Sequence, residues 1–192
     1  MKYDAIFMMG PQGTGKGTQA KVLAEQLNFF HWDMGAVLRE NLDWKFPDGK
    51  TVGEIINDGT LLSDDRLLHI FKAKLNLLPA DQGIIFDGIP RRLGQAQFLL
   101  DFLRSQGRGK LATIFIDIPR EESLKRLLLR AEKEGRTDDT REAIEFRLEQ
   151  YAKETLPTVE FLKQNSDYYE IDGRPAIPEV TRQIFVALGL AE

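Results

Sequence analysis

The run Gly10-Pro11-Gln12-Gly13-Thr14-Gly15-Lys16-Gly17-Thr18 gathers glycines around one lysine. Glycine lets a backbone curl until several N–H groups point at one place, and a helix starting at the lysine adds its positive end. Such a concavity holds phosphates, with Lys16 as a mobile cation for the outer ones. Gly13, Thr14, Gly15, Lys16, Gly17 and Thr18 are therefore candidate contacts of a nucleoside triphosphate. The general pattern places Ser or Thr directly after the lysine; here Gly17 intervenes, so the usual hydroxyl ligand of magnesium is displaced or absent.

Two further constellations could act with that loop. Asp87-Gly88-Ile89-Pro90-Arg91 is followed by Gln95 four residues after the arginine. An aspartate at the carboxyl end of a parallel strand sits where ligands of such sheets bind, and it can hold the waters of a hard cation, which makes Asp87 a magnesium candidate. Taken alone, the stretch also reads as a turn with a proline stop beside a solvated Arg91. Arg126 and Arg130 lie four apart on one helix face, Arg136 follows in a charged segment, and Arg147 lies on the next helix. Singly, each reads as an ordinary solvated charge.

The elements that must position these residues alternate. Strand candidates are Ala5–Met9, Phe29–Trp32, Gly83–Phe86, Ala112–Ile116 and Tyr168–Ile171; helix candidates are Lys16–Leu27, Arg92–Ser105, Arg120–Lys133, Thr140–Gln164 and Pro178–Leu188. The pattern predicts a three-layer α/β sandwich around a five-stranded parallel sheet. Asp33–Leu78 departs from the alternation with three helix-like pieces, broken at Pro47-Asp48-Gly49 and Asp58-Gly59, and reads as a helical insertion. Ala131–Thr140, charged and without an apolar face, reads as a short flap.

At 192 residues and 42% hydrophobic content the chain fits one globular domain. Its net charge of -4 argues against a general nucleic-acid or acidic-membrane binder, so any anion must be held by local arginines and lysines. The absence of cysteine excludes disulfides, thiol catalysis and Cys-ligated zinc, and it fits a reducing compartment. Ala5–Met9 is far shorter than a signal h-region or a membrane span, so a cytoplasmic location is the expectation.

The loop, with Gly17-Thr18-Gln19 after its lysine, resembles that of the adenylate kinase family, in which Gln12 would usually be proline; the resemblance continues over nearly the whole chain. It implies a P-loop kinase fold with core 1–32, 79–130 and 141–192, an NMP-binding insertion 33–78 and a short lid 131–140. It implies reversible phosphoryl transfer from ATP to AMP with magnesium, by a monomer, with no nucleic acid polymer and no membrane as partner. Asp87 would lie near the metal through water, Arg91 and Gly88 at the acceptor, and Gln95 on the adenine of AMP. Arg39 and Gly35 match the segment that caps the AMP phosphate, while Met34 stands where a threonine contacts the base, Ala36 where aspartate is usual and Asp33 where serine is common. Gly59, Thr60, Leu61 and Leu62 match the stretch enclosing the acceptor base, although a helix C-cap glycine before an apolar loop fits equally well.

Arg126, Arg130, Arg136, Asp138, Asp139 and Arg147 match the types and spacing of short-lid members. By that match Arg126 stacks on the ATP adenine, Arg130, Arg136 and Arg147 meet phosphates, and the two aspartates pair with arginines at the hinge. Gly173, in Asp172-Gly173-Arg174-Pro175, would touch the ATP adenine through its backbone, or simply form a strand-to-helix turn. No general base is required, because the attacking oxygen belongs to an ionised phosphate. Water is the competing nucleophile, so insertion and flap are expected to close over the substrates and their reopening to limit turnover. Met34 and Ala36 leave open CMP, UMP or GMP as acceptor, and with Gln12 they leave open a nucleotide-binding regulator that has lost transfer.

Overall fold

The computed structural model describes residues 2–57, 63–75, 77–134 and 140–190. β1 (Ala5–Met9) is buried along its whole length, as a strand covered on both faces must be. β2 (Phe30–Asp33), β3 (Ile84–Asp87), β4 (Leu111–Asp117) and β5 (Asp167–Asp172) join it in the order β2-β3-β1-β4-β5, with every pairing parallel. The chain builds one side of β1 first and then crosses to the other, so the sheet's switch point lies at the carboxyl end of β1, where open α/β sheets bind ligands.

The two-residue period of β1 separates the layers. Ile6 and Met8 face a core closed by α1 (Lys16–Leu27) and α9 (Ile177–Leu188). Ala5, Phe7 and Met9 face another, closed by α5 (Leu93–Ser105) and α8 (Leu156–Asn165). Between β2 and β3 lie α2 (Met34–Arg39), α3 (Val52–Asn57) and α4 (Asp64–Leu75), matching the three expected pieces. They share the second core: Trp32 stacks on Phe71 of α4 at 4.7 Å between ring centroids, and Phe71 meets Phe86 of β3 at 5.9 Å.

Four of the five strands, all but β1, end on an aspartate: Asp33, Asp87, Asp117 and Asp172. In register, Asp33 lies beside Asp87 and Asp117 beside Asp172, so the sheet carries a carboxylate rim.

Three expectations shift. Phe29 precedes β2; it is buried, and its ring fills the space a side chain at Gly83 would take, which starts β3 at Ile84. Helix α6 (Arg120–Glu134) runs into the segment read as a flap, so residues 131–134 are helical and 135–139 lie outside the described residues. The helix read over Thr140–Gln164 is two helices, α7 (Arg141–Gln150) and α8, joined by a π turn over Tyr151–Thr155. Pro157, at the start of α8, cannot donate to the carbonyl one turn back, and the ladder widens just before it.

Candidate active site

The glycine loop leaves β1 at Gly10, whose φ of 136° no other residue adopts comfortably; a side chain there would run into the carbonyl of Ile116 on β4. That contact ties the loop to the middle of the sheet. From the other side Ser123 of α6 donates its hydroxyl to the carbonyl of Gln12. Within the loop, buried Thr14 donates to the carbonyl of Pro11 at 3.1 Å. The ammonium of Lys16 donates to the same carbonyl at 2.6 Å. Gly17 and Thr18, both exposed, open α1. Gln19, 3% exposed, uses both ends of its amide: Nε2 donates to the carbonyl of Ile177 at 3.0 Å, and Oε1 accepts from Thr181 at 2.8 Å. The first turn of α1, into which the loop runs, is thereby bonded to α9.

Lys16 keeps one face open to the cleft, but protein crowds its others. That desolvation pushes its pKa down to about 8; Asp87 opposes the fall, while Arg91 and Arg130 add to it. Asp87 closes β3 beside the loop. A side chain at Gly17 would meet its Oδ2 at 3.1 Å, so the missing Ser or Thr is what lets the carboxylate approach α1. Nε2 of His31 lies 3.8 Å from the same oxygen.

Arg91 follows Gly88 and the cis Ile89–Pro90 bond. Its Nε donates to the Gly88 carbonyl at 2.9 Å, and its backbone N–H donates to Oε1 of Gln95 at 2.9 Å. It opens toward the cleft, yet desolvation by the surrounding protein is the main influence lowering its pKa; Asp87 and Asp33 oppose this and Arg147 adds to it. Lys16 is thus close enough to Arg91 and to Arg130 to be repelled by each, and Arg91 is repelled by Arg147. Arg147, half-buried on α7, also donates from Nε to the Ala143 carbonyl at 3.2 Å.

Arg126 goes elsewhere. Its Nε donates to Glu122 at 2.7 Å, and its two terminal nitrogens donate to the carbonyls of Gly173 at 2.9 Å and Arg174 at 3.0 Å. Gly173 donates from its own N–H to the Asp117 carbonyl at 2.8 Å. Arg126 and Gly173 share with Gly13, Thr14 and Gly15 a cavity of about 500 Å³ that runs from the loop to the start of α9.

On the opposite side Met34 is buried, and its sulfur accepts the indole N–H of Trp32 at 3.4 Å. Met34 backs onto Gly88, where a side chain would approach it at 3.7 Å. Gln95 is likewise buried, with Oε1 committed to Arg91. Arg39 lies on α2, its side chain outside the described residues, as are Gly59, Thr60, Leu61, Leu62, Arg136, Asp138 and Asp139.

Sequence reasoning missed Ser123, Tyr151, Thr155 and Thr181. Ser123 and Thr155 anchor the loop and the Arg91 carbonyl, the latter by a hydroxyl bond of 3.1 Å. Nothing in apolar periodicity marks such residues; only Pro157 hinted at the turn that carries Tyr151 and Thr155.

The family model described as adenylate kinase matches residues 8–167. The chain is similar to a protein named adenylate kinase from Thermus thermophilus, 37% identical over 186 residues, 97% of each chain. One so named from Prochlorococcus marinus is 38% identical over 185 residues, 96% of this chain and 97% of that one. Another, from Xylella fastidiosa, is 35% identical over 184 residues, 96% of this chain and 98% of that one.

Proposed function

The chain belongs to the adenylate kinase family, and from that premise we propose that it moves the terminal phosphoryl group of ATP reversibly onto AMP, giving two ADP. Its sheet and flanking helices are the P-loop kinase fold of that family. The observation that carries the reading is that Lys16, at the end of the glycine loop, lies within electrostatic reach of Arg91 and Arg130, and Arg91 within reach of Arg147. Two nucleotides bring several phosphate charges into one place, and the group in transit spreads charge over its equatorial oxygens; fixed cations stabilise both.

Residues 13–18 would cradle the ATP phosphates, and the cavity beside Arg126 and Gly173 would take the adenosine. Because Arg126 is spent on two backbone carbonyls, it would hold the adenine slot's wall as well as stack on the base. Arg91, Arg136, Arg147 and Arg39 would hold the AMP phosphate, with Gly88, Gln95, Met34, Thr60 and Leu62 around its base. In the transfer, an oxygen of the AMP phosphate forms the new P–O bond as the bond to the β-phosphate oxygen breaks. Lys16 and the arginines hold the charges in line, and no proton need leave the nucleophile.

One carboxylate against the start of α1 fits magnesium, which keeps most of its waters and binds phosphates beside one or two carboxylates. Asp87 would hold it through water, and the ion would neutralise phosphate charge. We assign 33–78 to acceptor binding and 131–140 to a lid; both would close over the nucleotides, and their reopening would limit turnover. A monomer in the cytoplasm, with no nucleic acid polymer or membrane as partner, fits a charge of -4 and small-molecule substrates. Among the described residues no helix is long and apolar enough to cross a membrane.

Met34 favours one second reading, a wider acceptor range, because its buried sulfur offers a base no hydrogen bond beyond the one it accepts from Trp32. A neutral hydrogen bond is worth roughly 1 kcal/mol, less than tenfold, so AMP should still lead. A coupled assay with ATP against AMP, CMP, UMP and GMP tests this. Faster turnover with CMP or UMP would refute the AMP assignment, and tight ATP binding without ADP formation would make the chain a regulator.

A further inference from the structure

Two polar side chains at the transfer point have no part in the scheme above. Gln12 and Tyr151 border one cavity of about 60 Å³, whose wall also carries Lys16 and Arg91. Among the described residues, Oε1 of Gln12 and the hydroxyl of Tyr151 are both buried without a hydrogen-bond partner. They come from different elements. Gln12 belongs to the loop and is held through its backbone by Ser123 of α6. Tyr151 opens the π turn, whose last residue, Thr155, bonds the Arg91 carbonyl.

The two atoms are complementary. An amide oxygen only accepts, whereas a phenol can donate. Burial, followed by the nearby Asp117 and Tyr168, raises the Tyr151 hydroxyl above the ordinary phenol range, so it keeps its proton and remains a donor. A space of this size with a donor and an acceptor in its wall suits an ordered water. Such π turns occur often at functional sites, and this one places its first side chain in the wall shared with Lys16.

We propose that a buried water bridges the Tyr151 hydroxyl to Oε1 of Gln12 and so aims the NH2 end of that amide at the phosphoryl group in transit. The proposal rests on the transfer reading above. Gln12 is then an additional contact for an equatorial oxygen, and Tyr151 is the positioning residue behind it. A neutral donor suits this place, because Lys16 already feels the repulsion of Arg91 and Arg130.

The test is a double-mutant cycle with Gln12→Leu and Tyr151→Phe, reading kcat, KM for ATP and melting temperature. Each single change should lower kcat about tenfold with KM changed less than about twofold, and the double variant should resemble the worse single. Two independent losses that multiply, an effect on KM alone, or unchanged kcat in either variant would overturn the proposal. A high-resolution crystal structure supplies a readout that needs no activity: a water within hydrogen-bond distance of both atoms is expected, and a dry cavity or a direct Gln–Tyr bond refutes the bridge. Wild-type protein that transfers to no monophosphate would defeat the function reading instead, and the crystallographic water would still decide the bridge.

Discussion

The glycine loop and the first turn of α1 are fixed by directional bonds, from Ser123 to the Gln12 carbonyl, from Gln19 to the Ile177 carbonyl and from Thr181 to Gln19, whereas α4 meets the sheet through Phe71, stacked on Trp32 and edge-on to Phe86. Hydrogen bonds hold one geometry; apolar contact is non-directional and tolerates sliding. On the proposed reading, the end of the cleft given to ATP would be built to stand still, and the end given to the acceptor to shift while staying attached. A kinase that must exclude water needs both properties, since closure works only against a site that does not move with it.

The contrast can be broken most forcefully at Lys16. Lys16→Met removes the cation proposed to meet the phosphates and no core packing, so kcat should fall about a thousandfold or more with the melting temperature nearly unchanged, read by a coupled assay and calorimetry. Phe71→Ala should do the reverse: loss of a fully buried ring costs about 3–4 kcal/mol of stability by denaturant titration, while kcat of the folded fraction in the cold changes little. If the two outcomes were exchanged, the division between fixed and sliding ends would be wrong.

Smaller effects sharpen it. Gln19→Leu cuts the ties from the first turn of α1 to α9 and should raise KM for ATP about tenfold while sparing KM for AMP, measured by varying each nucleotide in turn. If reopening limits turnover, doubling solvent viscosity should reduce kcat up to about twofold; an unchanged kcat would place chemistry in control. Last, Lys16 titrates near 8 before ATP binds, and phosphate oxygens must raise that value. ATP binding between about pH 8 and 10 should therefore take up a fraction of a proton, with affinity falling as pH rises, seen by calorimetry in buffers of different ionisation heat. For the unliganded protein the sign is opposite: above pH 8 the folded chain has released a proton that the unfolded one, near 10.5, still holds, so stability from this group rises with pH over that window.

Much of this was legible in the residues. Gly10 to Thr18 announced the loop, and the alternation of apolar runs gave all five strands, because both signals are local. Strand ends slipped by a residue, since Asp33, Asp87, Asp117 and Asp172 are strand residues with polar side chains that a search for apolar runs leaves out. The π turn was hidden because apolar spacing continues across it, and only Pro157 broke the pattern. The role of Arg126 was the hardest to read. A lone arginine on a helix gives no sign that its partners are carbonyls nearly fifty residues later, a pairing that only the tertiary fold creates.

The aspartates at the strand ends act as resident counter-ions. Asp87 favours the charged forms of Lys16 and Arg91, Asp33 supports Arg91, and Asp172 and Asp117 support Arg174. Before a nucleotide arrives, these carboxylates do part of what its phosphates will do, letting mutually repelling cations sit side by side. Deleting Arg91 would consequently be felt twice, by the substrate whose proposed contact is lost and by an acidic edge left without its balance.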